Sequence, residues 1–165
     1  MAFAVLASLG TTADARADVD ADEDADADIG IADAVYVDKS ERRLDLLRDG
    51  EVIASFDIVL GFEPEGHKTE EGDGKTPEGT YRLDWRNPES RFHLSLHVSY
   101  PNEADRTQAE ARRVSPGGDI FIHGTPGWAG VARDDWTLGC IAVSNDEIET
   151  IWDAVPDGTS ITIDP

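Results

Sequence analysis

The run Phe92-His93-Leu94-Ser95-Leu96-His97-Val98-Ser99-Tyr100 decides the fold. Phe92, Leu94, Leu96, Val98 and Tyr100 alternate without a break with His93, Ser95, His97 and Ser99. Side chains of an extended chain leave on opposite sides in turn, so this pattern predicts a strand with one buried face and one polar face. The same grammar continues on both sides of it. Upstream, Ala34–Lys39 and Arg43–Arg48 are short β-rich runs, Asp49-Gly50 is a tight-turn signal before Glu51–Leu60, and Gly79–Trp85 is a further candidate strand introduced by Pro77. Downstream, Asn102–Arg113 is polar and helix-compatible and is stopped by Ser115-Pro116-Gly117-Gly118, after which Asp119–His123 reads as a buried strand. Asp146–Ala154 reads as a helix: Ser144 and Glu147 form a capping box, and Ile148, Ile151, Trp152 and Val155 make its apolar stripe. Pro156-Asp157-Gly158 closes that helix and Thr159–Ile163 is the last strand. Many short strands with few helices predict a mainly β sandwich or barrel.

Residues 1–32 follow a different grammar. Ala2–Leu9 is a short apolar run, and Ala15-Arg16-Ala17 resembles the cleavage site of a secretory signal that lacks its basic start; an Ala-rich terminus is the plainer reading. Asp14–Asp28 holds eight acids and one arginine and is too poor in large apolar groups to fold. The expected organisation is therefore a truncated signal-like segment and acidic linker over 1–32, then one folded domain over 33–165. No apolar run approaches the ~20 residues of a membrane span.

Charge excludes one class of partner. The 165 residues carry 35 acids against 14 lysines and arginines, a net charge of −21, and removing the acidic tract still leaves −14. Such a surface repels phosphates, so nucleic acid is not an expected partner. Acidity throughout the chain fits a salty solvent that screens the self-repulsion, as in a salt-loving bacterium.

Chemistry concentrates in Ile122–Asn145, IHGTPGWAGVARDDWTLGCIAVSN. His123 ends a strand, and Cys140, the only cysteine of the chain, follows seventeen positions later within Trp136-Thr137-Leu138-Gly139-Cys140. A thiol becomes a strong nucleophile on ionisation, and a nearby imidazole can take its proton or pair with the thiolate. Glycine before the cysteine leaves main-chain N–H groups unobstructed for an oxyanion. A lone cysteine can equally be a small buried apolar residue. No Cys/His spacing matches a zinc site, and an intrachain disulfide is impossible.

These residues resemble the L,D-transpeptidase catalytic (YkuD-type) domain, whose signature is a histidine, a loop of variable length, then Ser/Thr-His-Gly-Cys and a short apolar stretch. Thr137, Gly139 and Cys140 match it, and His123 stands at the family's base position; Leu138 departs from it, standing where most members carry a second histidine. Lys75–Tyr81 is similar to the family's T-P-x-G-x-aromatic strand start. The run Gly66–Tyr81, the Tyr100-Pro101-Asn102 step, Gly117-Gly118-Asp119 and Gly139–Asn145 look most like the YafK-type branch.

The resemblance spans Asp33 to Pro165. It implies an L,D-transpeptidase-type β-sandwich or barrel, with Cys140 as nucleophile and His123 as base. It further implies a carbonyl next to the histidine, Gly124's, orienting the ring, and an oxyanion loop around Gly139 and Thr137. The implied substrate is a peptidoglycan stem peptide attacked at its third residue, and the branch adds a wall-attached lipoprotein as a partner. A monomer exported to the periplasm or cell envelope, with no metal or organic cofactor, completes the expectation.

Trp128 and Trp136 flank the His–Cys loop and are candidates to wall a peptide groove, or plain packing. His67, in a Gly/Glu/Lys loop, is a candidate cleft member or a solvated loop residue. His93 and His97 share a strand face but stand ~13 Å apart, too far to hold one metal; they form the polar face or line the cleft. Two readings of other classes stay open: a non-catalytic wall-binding module that kept the fold, and a general cysteine peptidase.

Overall fold

The computed structural model describes residues 29–126 and 134–165. Trp128 lies outside the described residues, as do the signal-like run and the acidic tract. Among the described residues, eight strands and two helices follow one another. They are β1 (Ala34–Asp38), β2 (Arg43–Arg48), β3 (Glu51–Asp57), β4 (Gly79–Ser90), β5 (His93–Val98), α1 (Glu103–Arg112), β6 (Ile120–His123), β7 (Ile141–Ala142), α2 (Asn145–Ala154) and β8 (Thr159–Asp164). All eight strands form one sheet in the order β3-β2-β1-β8-β4-β5-β6-β7. The β1–β8 and β6–β7 pairs are parallel and the rest antiparallel. The expected mainly β architecture is the one the chain adopts.

The sheet curls into a half-barrel, and its two ends are stitched together by the chain that leaves β3. Val59 and Ala142 exchange both main-chain hydrogen bonds at 2.9 Å, Phe62 N–H donates to Thr137 O at 3.0 Å, and Thr137 N–H donates to Leu60 O at 3.1 Å. Inside the curl, Leu44, Leu46, Leu83, Leu96, Ile122, Ile141, Ile161 and Ile163 are buried, with Ile148 and Ile151 of α2 packed on them. Each such side chain contributes ~1.5–3 kcal/mol when removed from water, so the core holds the sheet closed. Ala32 belongs to this core, and its N–H bonds Ala154 O at 2.8 Å, so packing begins just before β1.

Local signals explain the element ends. Asp49 and Gly50 both take positive φ, 53° and 81°, the geometry of a turn whose twist matches a β-hairpin. Ser144 caps α2, accepting from Glu147 N–H while Glu147 returns a carboxylate to Ser144 N–H at 2.7 Å. Asn102 and Asp105 make the same box on α1.

Two expectations need correction, and one strand carries no pattern to read. β4 runs five residues beyond Trp85, with register shifts between Leu83 and Trp85 and between Asn87 and Ser90 that single-strand periodicity does not register. β7 has two residues, too few for any pattern. The second face of β5 is not a solvent face: Ser95 is 4 % exposed, because it stands directly opposite His123 across the sheet. Alternation holds from Leu94 to Val98 but fails at its start: His93 takes φ 72° and stays exposed, and Phe92, expected on the apolar face, stacks on His123 instead. Among the described residues no helix is long and apolar enough to cross a membrane.

Candidate active site

His123 closes β6 and is 3 % exposed. Its Nδ1 stands 2.6 Å from Gly124 O, so Nδ1 carries the ring proton and donates it to that carbonyl, and Nε2 keeps its lone pair. Phe92 stacks on the imidazole with centroids 4.4 Å apart and planes at 25°, and Trp136 leans over both rings at 5.9 and 6.0 Å. The turn after the histidine tolerates only glycine. An added Cβ at Gly124 would stand 2.5 Å from Asn145 Oδ1 and 2.8 Å from Phe92 O. Asn145, the first residue of α2, accepts from Thr125 N–H at 2.9 Å and so ties this turn to the helix.

Cys140 immediately precedes β7. The pairs Ile122↔Ile141 and His123↔Ala142 put Cys140 beside Phe121, on the same face as His123. From strand spacing and rise, the Cα atoms of Cys140 and His123 are roughly 8 Å apart, close enough for the two side chains to meet. β7 goes no further back than Ile141, so the edge of β6 before Ile122 is met by the thiol. Sγ donates to Asp119 O at 3.5 Å and receives the Phe121 N–H.

The turn that presents the cysteine is built by Thr137 and Gly139. Thr137 Oγ1 donates to Cys140 O at 2.7 Å and accepts from Gly139 N–H at 3.1 Å. Gly139 has φ +128°, and a Cβ there would stand 2.6 Å from Lys75 O, so glycine is required twice over. The Lys75-Thr76-Pro77 segment thus lies directly beneath the cysteine turn; Thr76, fully buried, accepts from Gly61 N–H at 3.2 Å. Leu138 at the tip of the turn is 77 % exposed.

Burial favours the neutral form of both candidate groups. Burial pushes the His123 imidazole below the ordinary histidine range, against the smaller opposing pull of Gly124 O. Burial likewise pushes the Cys140 thiol up; the Phe121 N–H lowers it, the Asp119 carboxylate raises it, and Lys68 lowers it. A thiol on the same face as a neutral imidazole whose Nε2 has no partner among the described residues can ionise during attack without a standing ion pair.

The other sequence-derived candidates separate. Trp136 is half-buried at His123, as a wall of the site. Its indole Nε1 is buried and has no hydrogen-bond partner among the described residues. His67 is held in a knot with both ring nitrogens used by the protein: Nδ1 accepts from Glu78 N–H at 2.9 Å, and Nε2 donates to Asp105 at 3.0 Å. Asp105 also accepts from Tyr81 OH at 3.1 Å, so His67 fastens the 66–78 loop to α1. Gly139 N–H is likewise occupied by Thr137, which leaves the turn's geometry, not that N–H, as Gly139's contribution. His93 pairs with Glu149 at 2.6 Å at the α2 edge, while His97 pairs with Asp84 at 2.6 Å on the His123 face.

Sequence reasoning missed Phe92, Asn145, Asp119, Arg42 and Asp135. Asn145 and Asp119 lie in or beside the motif, but their spacing carries no signal; Phe92 reaches His123 only through the β5–β6 pairing, and Arg42 and Asp135 meet across 93 positions.

The chain matches the family described as the L,D-transpeptidase catalytic domain, YkuD, over residues 32–163. It is 30% identical over 128 residues to YafK of Escherichia coli (strain K12), covering 73% of this chain and 46% of that protein. Among solved structures it resembles the helical cell shape determining protein Pgp2 of Campylobacter jejuni, with TM-score 0.64 and 28% identity over 82% of this chain and 52% of that one. It also resembles Bd1075 of Bdellovibrio bacteriovorus, with TM-score 0.60 and 26% identity over 81% and 48% of the two chains. The chain spans about half the length of these relatives.

Proposed function

The chain belongs to the L,D-transpeptidase catalytic domain family, and from that premise we propose that it is a peptidoglycan-modifying cysteine acyltransferase with Cys140 as nucleophile and His123 as base. The observation that carries the reading is the fixed imidazole. Gly124 O holds the Nδ1 proton, which aims a free Nε2 lone pair across the face that also bears Cys140.

The substrate in this reading is a peptidoglycan stem peptide, cut at the carbonyl of its third residue. Cys140 Sγ attacks that carbonyl carbon as His123 Nε2 takes the thiol proton. The C–N bond then breaks, and the imidazolium gives the same proton to the departing amine, leaving a thioester on Cys140. Water or a second amine adds to the thioester; its proton passes to His123 and on to the sulfur, which leaves as thiol. The Cys140 main-chain N–H, presented by the Thr137–Gly139 turn, is the proposed oxyanion donor.

Hydrolysis is favoured over cross-linking. The exposed Leu138 stands where the family's second histidine would be, and a hydrolase needs only a path for water, whereas an aminolysing enzyme must hold a second stem and keep the thioester dry. The YafK-like segments favour the same outcome, with the joint between peptidoglycan and an attached lipoprotein as one bond that would be cut. Such a substrate places the protein in the periplasm or cell envelope.

Purified sacculi incubated with the protein and resolved by mass should lose attached peptide or lipoprotein and gain no 3→3 dimers. Cys140→Ala and Cys140→Ser should both be silent, since a serine hydroxyl needs a stronger base than a thiol does. New 3→3 dimers without release would make the enzyme a cross-linking transpeptidase. Turnover by Cys140→Ser above a few per cent would remove the nucleophile assignment.

A further inference from the structure

The face that carries Cys140 and His123 also carries a row of rings. Trp85 stands opposite His97, His97 opposite Phe121, and the β6–β7 register brings Phe121 beside Cys140. The row crosses four strands. At ~4.8 Å per strand, Trp85 lies roughly 14 Å from Cys140.

Trp85 is on this face because of a local defect in β4. Tyr81 and Leu83 point into the core, and strict alternation would send Trp85 after them. The register shift between Leu83 and Trp85 puts an extra residue into β4 and turns the indole onto the opposite face. The result is an apolar ring 44 % exposed, which burial in the core would have stabilised. Its neighbours hold it in place. His97 stacks against it at 5.2 Å and 25°, Phe121 meets it edge-on at 5.3 Å and 90°, and Asp84 fixes the His97 ring through Nδ1 at 2.6 Å. The Asp84 carboxylate remains accessible next to the indole.

An exposed indole held rigid, with a carboxylate beside it, matches the needs of a pyranose ring. Its axial C–H groups sit on the electron-rich ring face while its hydroxyl and amide protons reach the carboxylate. We propose that Trp85, with Asp84 and His97, forms a sugar subsite for the N-acetylated amino sugar from which the stem peptide hangs. This rests on the stem-peptide reading above. The spacing fits: three extended residues from the attacked carbonyl back to the start of the stem span ~10 Å, and the short acid linking stem to sugar adds a few more. The sugar then arrives about where Trp85 stands.

The test compares two soluble substrates, a free stem tetrapeptide and the same stem on its disaccharide. The wild-type protein should show a kcat/KM at least tenfold higher on the disaccharide-peptide. Trp85→Ala should remove most of that preference by raising KM for the disaccharide-peptide, with a far smaller change on the free peptide, and Trp85→Phe should recover part of it. Independently, the peptide-free disaccharide should shift the Trp85 indole N–H resonance of the wild-type protein. Equal loss on both substrates, an intact preference in Trp85→Ala, or no shift of that resonance would overturn the subsite. If the disaccharide shifts the resonance but neither substrate turns over, the subsite stands and the acyl-transfer reading falls.

Discussion

Asp135 and Arg42 form a two-toothed ion pair: Arg42 Nε and Nη2 both donate to the Asp135 carboxylate, Nη2 at 2.7 Å. The same carboxylate accepts from Leu60 N–H at 2.8 Å. Arg42 sits in the β1–β2 turn at φ 51° and bonds Lys39 O as well, so it is itself anchored. Asp135 lies five positions before Cys140, and one carboxylate therefore pins the near leg of the cysteine turn to the opposite end of the curled sheet.

Asp135→Ala should lower kcat/KM by ~10–100-fold, because a displacement of ~1 Å in a reacting group can cost that much. The pair is partly solvated, so its stability worth is modest, about 1–3 kcal/mol. Arg42→Ala should cost less on both measures, since the Leu60 N–H contact survives. A double-mutant cycle on activity reads the coupling directly. Additive losses would mean that Asp135 acts without Arg42.

The pH dependence follows from two opposite shifts. In the proposed mechanism, protonation of His123 at falling pH would remove the base; burial moves that limb below about 6.5, the ordinary histidine value. As pH rises, loss of the Cys140 proton leaves none for the departing amine; burial moves that limb above about 8.5, the ordinary thiol value. The profile of kcat/KM should be a wide plateau between these limbs, and iodoacetamide alkylation of the resting enzyme should still be rising above pH 8.5. His123→Ala should lower turnover by ~10²–10⁴. An alkylation inflection at or below pH 7 would instead mean a standing thiolate–imidazolium pair.

Residues 92–100 disclosed the β class because alternation is a property of the strand alone, and Ser144 with Glu147 disclosed α2 because a capping box is local. The His123–Cys140 pair stood out as a candidate because its residue types and spacing lie in one short stretch that resembles a family signature, and the β6–β7 pairing then sets both on one face. What stayed hidden depends on pairs far apart in sequence. The covered face of β5 required knowing that β6 lies beside it. Trp85's direction required the bulge, which exists only relative to β5. Gly139's N–H looked available until Thr137 Oγ1 was seen to occupy it. His67 reads as a solvated residue because its loop is polar, and as a cleft member only through the branch resemblance, whereas its ring serves Asp105 and Glu78.

The acidic surface makes stability depend on salt. Residues 29–165 carry a formal −14, and compact folding brings those charges together. Raising ionic strength from 0.1 M to 1 M shortens the Debye length from ~10 Å to ~3 Å and so relieves repulsion between non-neighbouring carboxylates. Contact pairs such as Lys68–Asp73, at 2.8 Å with the lysine buried and the aspartate half-buried, are screened much less. The melting temperature should therefore rise from dilute buffer to molar KCl. A flat or falling trend would remove the link between this composition and a saline solvent.

Thr137 offers the sharpest separation between a turn that is merely present and one that presents the nucleophile. Its hydroxyl is buried, donating to Cys140 O and accepting from Gly139 N–H, so both bonds depend on one oxygen. Thr137→Val keeps the shape and removes that oxygen. Two buried main-chain groups then lose their partner, at a cost of roughly 1–3 kcal/mol for each left unsatisfied. Relief comes only if the turn opens, and opening it would move the Cys140 N–H away from the proposed position of the oxyanion. Loss of one oxyanion donor is worth about 10²–10³ in rate. Thr137→Val should therefore fall by at least tenfold in kcat, with a lowered melting temperature, while Thr137→Ser, which restores the oxygen and gives up only a methyl group, should keep most of both. If valine and serine at this position behave alike in turnover, the hydroxyl does not hold the cysteine turn in its working shape.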